Sequence, residues 1–144
     1  MSAWEMDAVD FADIGKLHPT KTLRWDTCWS SPPISLNDRG NWRTRARKVK
    51  EVREAARILA TAAHLPRNLD HITVQLVYRP RDRRRRDADN LVGTLKAICD
   101  ALVDYGTVDD DTPEYMTKHM PRIDTPIAGQ PGHIWLELEW ETTP

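Results

Sequence analysis

At 144 residues, with 40% apolar and 30% charged residues and a formal net charge of −1, the chain has the size and composition of one globular domain able to bury its own core. No apolar run approaches the roughly 20 residues that cross a bilayer, and the acidic N-terminus MSAWEMDAVDFADIGK lacks the hydrophobic segment of a signal peptide, so a cytoplasmic address is expected. Cys28 and Cys99 are far apart with no CxxC partner, and the five histidines stand singly without HxH or HExxH spacing, which argues against a disulfide framework, a zinc site or a cysteine nucleophile.

In chain order, residues 1 to 20 carry little pattern and are expected to form an N-terminal tail ahead of one domain over 21 to 144. TLRWDTCW, 22 to 29, has strand composition and stops at Pro32 and Pro33. A polar loop with an exposed Trp42 leads to a helix over Arg43 to His64, in which Val49, Val52, Ala56, Leu59 and Ala63 recur at helical spacing. HITVQLVYRP, 71 to 80, is a β-branched strand closed by proline. A second helix is expected from Asn90 to Tyr105, with Leu91, Leu95, Ile98 and Leu102 as its core stripe and Gly106 as its stop. EYMTKHMPRI and HIWLELEWE read as two further strands, the latter alternating Ile134, Leu136, Leu138 and Trp140 against Trp135, Glu137, Glu139 and Glu141. The order β-α-β-α-β-β predicts a compact α+β domain, a mixed sheet with both helices on one face.

The near-zero net charge conceals strong segregation. Residues 39 to 57 carry eight Lys/Arg against two Glu, and 79 to 86 carry six Arg against Asp82. From Asp100 to Glu141 ten acids face only Lys118 and Arg122. Two separate basic clusters, the helix with Arg43, Arg45, Arg47, Lys48 and Lys50 and the run Arg83, Arg84, Arg85 and Arg86, suit a phosphate backbone whatever the chain's total.

The arginine run ends abruptly at two carboxylates, Asp87 and Asp89, which would repel the anion the arginines attract. With Asp89 at zero on the helical wheel, the core stripe lies between about 180° and 240°, whereas Lys96 lies near 340° and Asp100 near 20°. Asp89, Lys96 and Asp100 thus share a face turned from the core. Helix capping by Asp89, an i, i+4 pair between Lys96 and Asp100, and a solvated turn at Asp109, Asp110 and Asp111 are the purely structural alternatives. If the two acidic knots converge, their repulsion, about 4 kcal/mol for unit charges 4 Å apart at an effective dielectric near 20, demands a cation. All-oxygen ligands suit magnesium or manganese. Such an ion inverts the local sign, so that carboxylates beside arginines help grip a phosphate and promote phosphodiester hydrolysis.

RRRRDADN, LKAICDAL (95 to 102) and GTVDDDTPEYM (106 to 116) together resemble the RusA family of Holliday junction resolvases, small endonucleases common in phages and prophages. The resemblance runs from the proline- and asparagine-containing loop at 31 to 39 to the end of the chain. It implies a homodimeric, magnesium-dependent endodeoxyribonuclease that makes paired nicks in four-way DNA junctions during recombination and repair. Carried over by position, Asp87 and Asp89 match the aspartates of the DxDN motif, Asp110 and Asp111 the later pair, and Lys96 the helix lysine expected at the scissile phosphate. The spacer before that lysine is three residues longer than the family pattern, which would place Gly93 there. Two other classes are carried alongside: a non-catalytic DNA-binding phage regulator using the basic helix, and a metal-dependent nucleotide hydrolase, against which the absence of a Gly-rich phosphate loop counts.

Overall fold

Strand β1 (Thr20–Asp26), helix α1 (Trp42–Ala62), strand β2 (Ile72–Arg79), a 3-10 turn (Ala88–Leu91), helix α2 (Val92–Tyr105), and strands β3 (Met116–Lys118), β4 (Arg122–Ile123) and β5 (His133–Glu141) follow one another along the chain. The computed structural model describes residues 19–35 and 40–142; the expected tail through residue 18 and loop positions 36–39 lie outside the described residues. The sheet is mixed. β5 lies between β1 and β2 and is antiparallel to both, while β3 and β4 pair in parallel with the other edge of β2.

Period-two alternation decides which way the sheet faces. Ile72, Val74, Leu76 and Tyr78 of β2 and Ile134, Leu136 and Leu138 of β5 form one buried cluster with Val52, Ala56 and Ala60 of α1 and Leu95, Ile98 and Leu102 of α2. Both helices therefore cover the same face, giving an α+β domain of two layers. The opposite face is mostly polar, with Thr22, Arg24, Thr73, Gln75, Glu137 and Glu139 along an open groove. Its one large aromatic, Trp135, is shielded by the Arg24 guanidinium 4.0 Å above its ring.

Three local expectations are corrected. The first strand spans Thr20–Asp26 rather than 22 to 29. Beyond Asp26 the Thr27 hydroxyl donates to the Ile134 carbonyl at 2.6 Å, and the Ile134 N–H reaches the Trp29 carbonyl at 3.1 Å, so the chain crosses the end of β5 instead of continuing the ladder. Gly132 makes that crossing feasible, because a Cβ there would stand 2.3 Å from the Ser30 carbonyl oxygen. The strand expected over 114 to 123 is two short pieces. Val74 pairs with Lys118 and Val77 with Arg122, which leaves one extra residue on the edge strand, and Pro121 in that interval has no N–H to offer the ladder. Finally, Ala63 is the exposed C-cap of α1 and Ala60 takes its place in the core.

The helix ends follow ordinary capping chemistry. The Asn41 side chain accepts the Thr44 N–H at 2.9 Å at the start of α1. Gly106 ends α2 with φ of 103°, and its N–H reaches the Leu102 and Val103 carbonyls. Arg67 donates to the Tyr105 carbonyl at 3.0 Å and stacks 3.9 Å over the Tyr105 ring, a cation placed at the negative end of the helix. Among the described residues no helix is long and apolar enough to cross a membrane.

Candidate active site

Pro80 ends β2, and the arginine loop that follows is organised by Asp82. Its Oδ1 accepts the Arg84 N–H at 3.1 Å and the Arg86 guanidinium at 2.7 Å. Arg86 also donates to the carbonyls of Asp82 and Arg84, at 2.9 and 3.0 Å. Its hydrogen bond is the main reason the Asp82 carboxyl titrates below the usual range. Arg86 is thus a brace inside the loop, whereas Arg83 and Arg85 point outward with no side-chain partner among the described residues, and Arg84 is exposed beyond a long 3.7 Å contact to Asp82. Asp82 was counted in the sequence only as a minority charge; its position four residues before Arg86 was the available signal.

The loop delivers Asp87 and Asp89 to the start of α2. Asp87 is the N-cap of the 3-10 turn and Leu91 that of α2, and neither end carries a side-chain capping bond. Capping therefore does not account for either aspartate. Both carboxylates are exposed, with no hydrogen bond or ion pair among the described residues. Asp87 borders a cleft of about 160 Å³ with Pro32, Ser35, Tyr78, Arg86 and Asn90. The Pro32 side of that cleft is anchored by Ile34, whose carbonyl accepts the Thr94 hydroxyl at 3.0 Å. Gly93 lies under Ile34, and a Cβ on it would already meet the Ile34 Cγ2 at 3.1 Å. Any side chain at 93 would therefore press on Ile34, whereas Lys96 returns to the outer face two turns after Asp89.

Lys96 does reach the second acidic knot. Its ammonium donates to Asp111 Oδ2 at 2.6 Å and to Asp100 Oδ1 at 2.9 Å. Lys118, from β3, donates to the same Asp111 oxygen at 3.0 Å. These bonds, the Lys96 one foremost, hold the Asp111 carboxyl far below the usual carboxylate range, and Asp111 in turn raises the pKa of Lys96. Arg53 of α1 continues the pattern with a two-pronged bond to Asp104 and an approach of 4.0 Å to Asp100. Alternating charges thus run from Asp104 through Arg53, Asp100, Lys96 and Asp111 to Lys118. Beside the lysines, Val92, Leu95, Met120 and Pro121 line a cleft of about 270 Å³. Asp110 is exposed and accepts the Asp111 N–H at 2.8 Å. Lys118 was missed in the sequence, although it was one of only two cations in the acidic C-terminal tract.

On α1, Arg43, Arg45, Arg47 and Lys50 are exposed and Lys48 is half-buried, so the basic face lies at the N-terminal half of the helix, beside a Trp42 that is 74% exposed. Further along, Arg57 pairs with Glu54 at 2.6 Å.

The donor set fits a hard divalent ion in a limited way. Among the described residues no three His, Cys, Asp or Glu side chains gather as a metal-holding group. Asp87 and Asp89 nonetheless offer two uncompensated oxygen donors one residue apart. Magnesium commonly takes one or two protein carboxylates and fills its octahedron with water and substrate phosphate. Asp111 has its charge offset by two ammonium groups, and nothing draws Asp110 to the first pair. Compared with protein-family models and with curated proteins, the chain matches none.

Proposed function

We propose that the chain is a magnesium-dependent endodeoxyribonuclease of the RusA type, acting as a homodimer on four-way DNA junctions. The observation that carries this reading is the pair of exposed, unpartnered carboxylates, Asp87 and Asp89, that directly follows an arginine loop whose Arg83, Arg84 and Arg85 face solvent. A protein that only bound phosphate would gain nothing from placing two free negative charges there.

In this reading Asp87 and Asp89 hold the ion, magnesium or manganese, with Asp111 as a further ligand and Asp110 beside it. Bound there, the ion would make water more acidic and offset charge at phosphorus. Arg83 to Arg85 and the basic face of α1, with Arg43, Arg45, Arg47, Lys48 and Lys50, fix the DNA backbone without reading sequence. Arg86 contributes by holding the loop. Lys96, charged throughout the neutral range, stabilises negative charge at the scissile phosphate. A four-way junction has approximate twofold symmetry, so two copies related by a twofold axis present two such sites to opposed strands.

Incubating the purified protein with an end-labelled synthetic four-way junction, with and without magnesium, tests the reading. Symmetric nicks that need the ion are expected. The pairing of Asp111 with Lys96 and Lys118, which leaves that carboxylate compensated without an ion, favours a second reading, DNA binding without catalysis. Junction binding indifferent to chelation, with no nicks in magnesium or manganese, would establish that one instead.

A further inference from the structure

Lys96 and Lys118 come from different elements, α2 and β3, yet both ammonium groups converge on one oxygen, Asp111 Oδ2, at 2.6 and 3.0 Å. A single oxygen gripped by two cations is the environment a phosphate oxygen would be given. The cleft beside the pair is open, and its other walls, Val92, Leu95, His119, Met120 and Pro121, carry no carboxylate to repel an anion. Asp100 holds the Lys96 ammonium at 2.9 Å and stands 4.0 Å from Arg53, so it keeps Lys96 in place when Asp111 leaves.

We infer that Lys118 and Lys96 together form a cradle for a backbone phosphate of DNA, and that Asp111 keeps its place as an internal counter-ion in the free protein. When a phosphate oxygen enters, it replaces Asp111 Oδ2 between the two ammonium groups and releases the Asp111 carboxylate. This rests on the nuclease reading and adds to it a second lysine, an exchange of anions, and a reason why Asp111 is paired in the free protein. The exchange conserves charge at the lysines, so its cost is limited to moving one carboxylate that stands near the surface.

The test is binding of a fluorescent four-way junction, in chelator so that no cleavage intervenes, at several salt concentrations. Lys118→Met keeps the apolar stem and removes the charge. It is expected to weaken binding about fivefold and to reduce the slope of log affinity against log salt by about 0.9, the loss of one phosphate contact. Lys118→Arg should restore most of both. Asp111→Asn, which removes the counter-ion, should bind more tightly than the parent. Unchanged affinity and slope in Lys118→Met, or no gain in Asp111→Asn, would overturn the cradle. Arg84→Ala with Arg85→Ala separates the two claims. If that double variant weakens binding while the lysine and Asp111 variants do nothing, only the cradle falls; if none of them matters, the nuclease reading falls with it. Should Lys118→Met fail to fold, judged by its thermal transition, the Asp111→Asn comparison decides alone.

Discussion

Asp89 and Asp111 are both aspartates close to α2, and the fold treats their charges in opposite ways. Asp111 is the most strongly compensated carboxylate of the site, with two ammonium groups on one oxygen, and its acidity is raised accordingly. Asp89, like Asp87, follows a run of arginines and forms no ion pair with them among the described residues; Arg86, the last of the run, is turned back onto Asp82. A cation from outside is needed at Asp87 and Asp89 and not at Asp111. Stability alone explains Asp111, because a paired carboxylate lowers the energy of the fold without help. It does not explain two free carboxylates beside arginines that were available to neutralise them.

Asp89→Asn should lower magnesium-dependent cleavage of a four-way junction by more than about a hundredfold, the order expected when a metal ligand itself is lost. Junction affinity should be unchanged or higher, since a negative charge near DNA has gone, and thermal stability should barely move. Normal cleavage by Asp89→Asn would place the chemistry elsewhere. Next comes the arginine loop: changing Arg84 and Arg85 together to Ala should weaken junction binding and reduce its salt slope by about two, seen in a titration at several salt concentrations.

Smaller effects sharpen the contrast from the Asp111 side. Its carboxyl has a folded-state pKa below its ordinary value of 3.8, so the stability it contributes is fully present above about pH 4 and is lost as pH falls toward the folded value. Because Lys96 is largely exposed, the contribution is held to less than about 1 kcal/mol. Asp111→Asn should therefore show a slightly shallower loss of stability between pH 4 and acid than the parent in denaturant titrations. Arg53→Ala, which removes the link from α1 to Asp104, should cost about as much at neutral pH and leave junction affinity unchanged. Lost affinity there would mean that the charged rail on α2 reaches the DNA surface.

Much of this architecture was legible in the sequence because burial imposes period. The alternation of HIWLELEWE and the spacing of Leu95, Ile98 and Leu102 fixed which faces meet, and Gly106 marked the end of α2 through its left-handed backbone. The split of the edge strand was harder to foresee, because the composition of EYMTKHMPRI is strand-like throughout and only Pro121 hints at the extra residue. The site divides in the same manner. Helical periodicity placed Lys96 on the face of Asp100, but no local rule brings Lys118 across from β3 to Asp111, since that contact depends on how β3 pairs with β2. The brace formed by Asp82 was missed for a different reason: a carboxylate within a block of arginines looks like dilution until the loop closes around it.

Whether Asp87 and Asp89 hold a divalent ion is tested without reference to cleavage by direct titration of the purified protein with manganese, read by the loss of the free-ion paramagnetic resonance signal. The parent chain should take up manganese at a site that magnesium competes for, and the variant carrying Asp87→Asn and Asp89→Asn should lose that site while keeping its thermal transition. Equal manganese uptake by parent and double variant would contradict the claim.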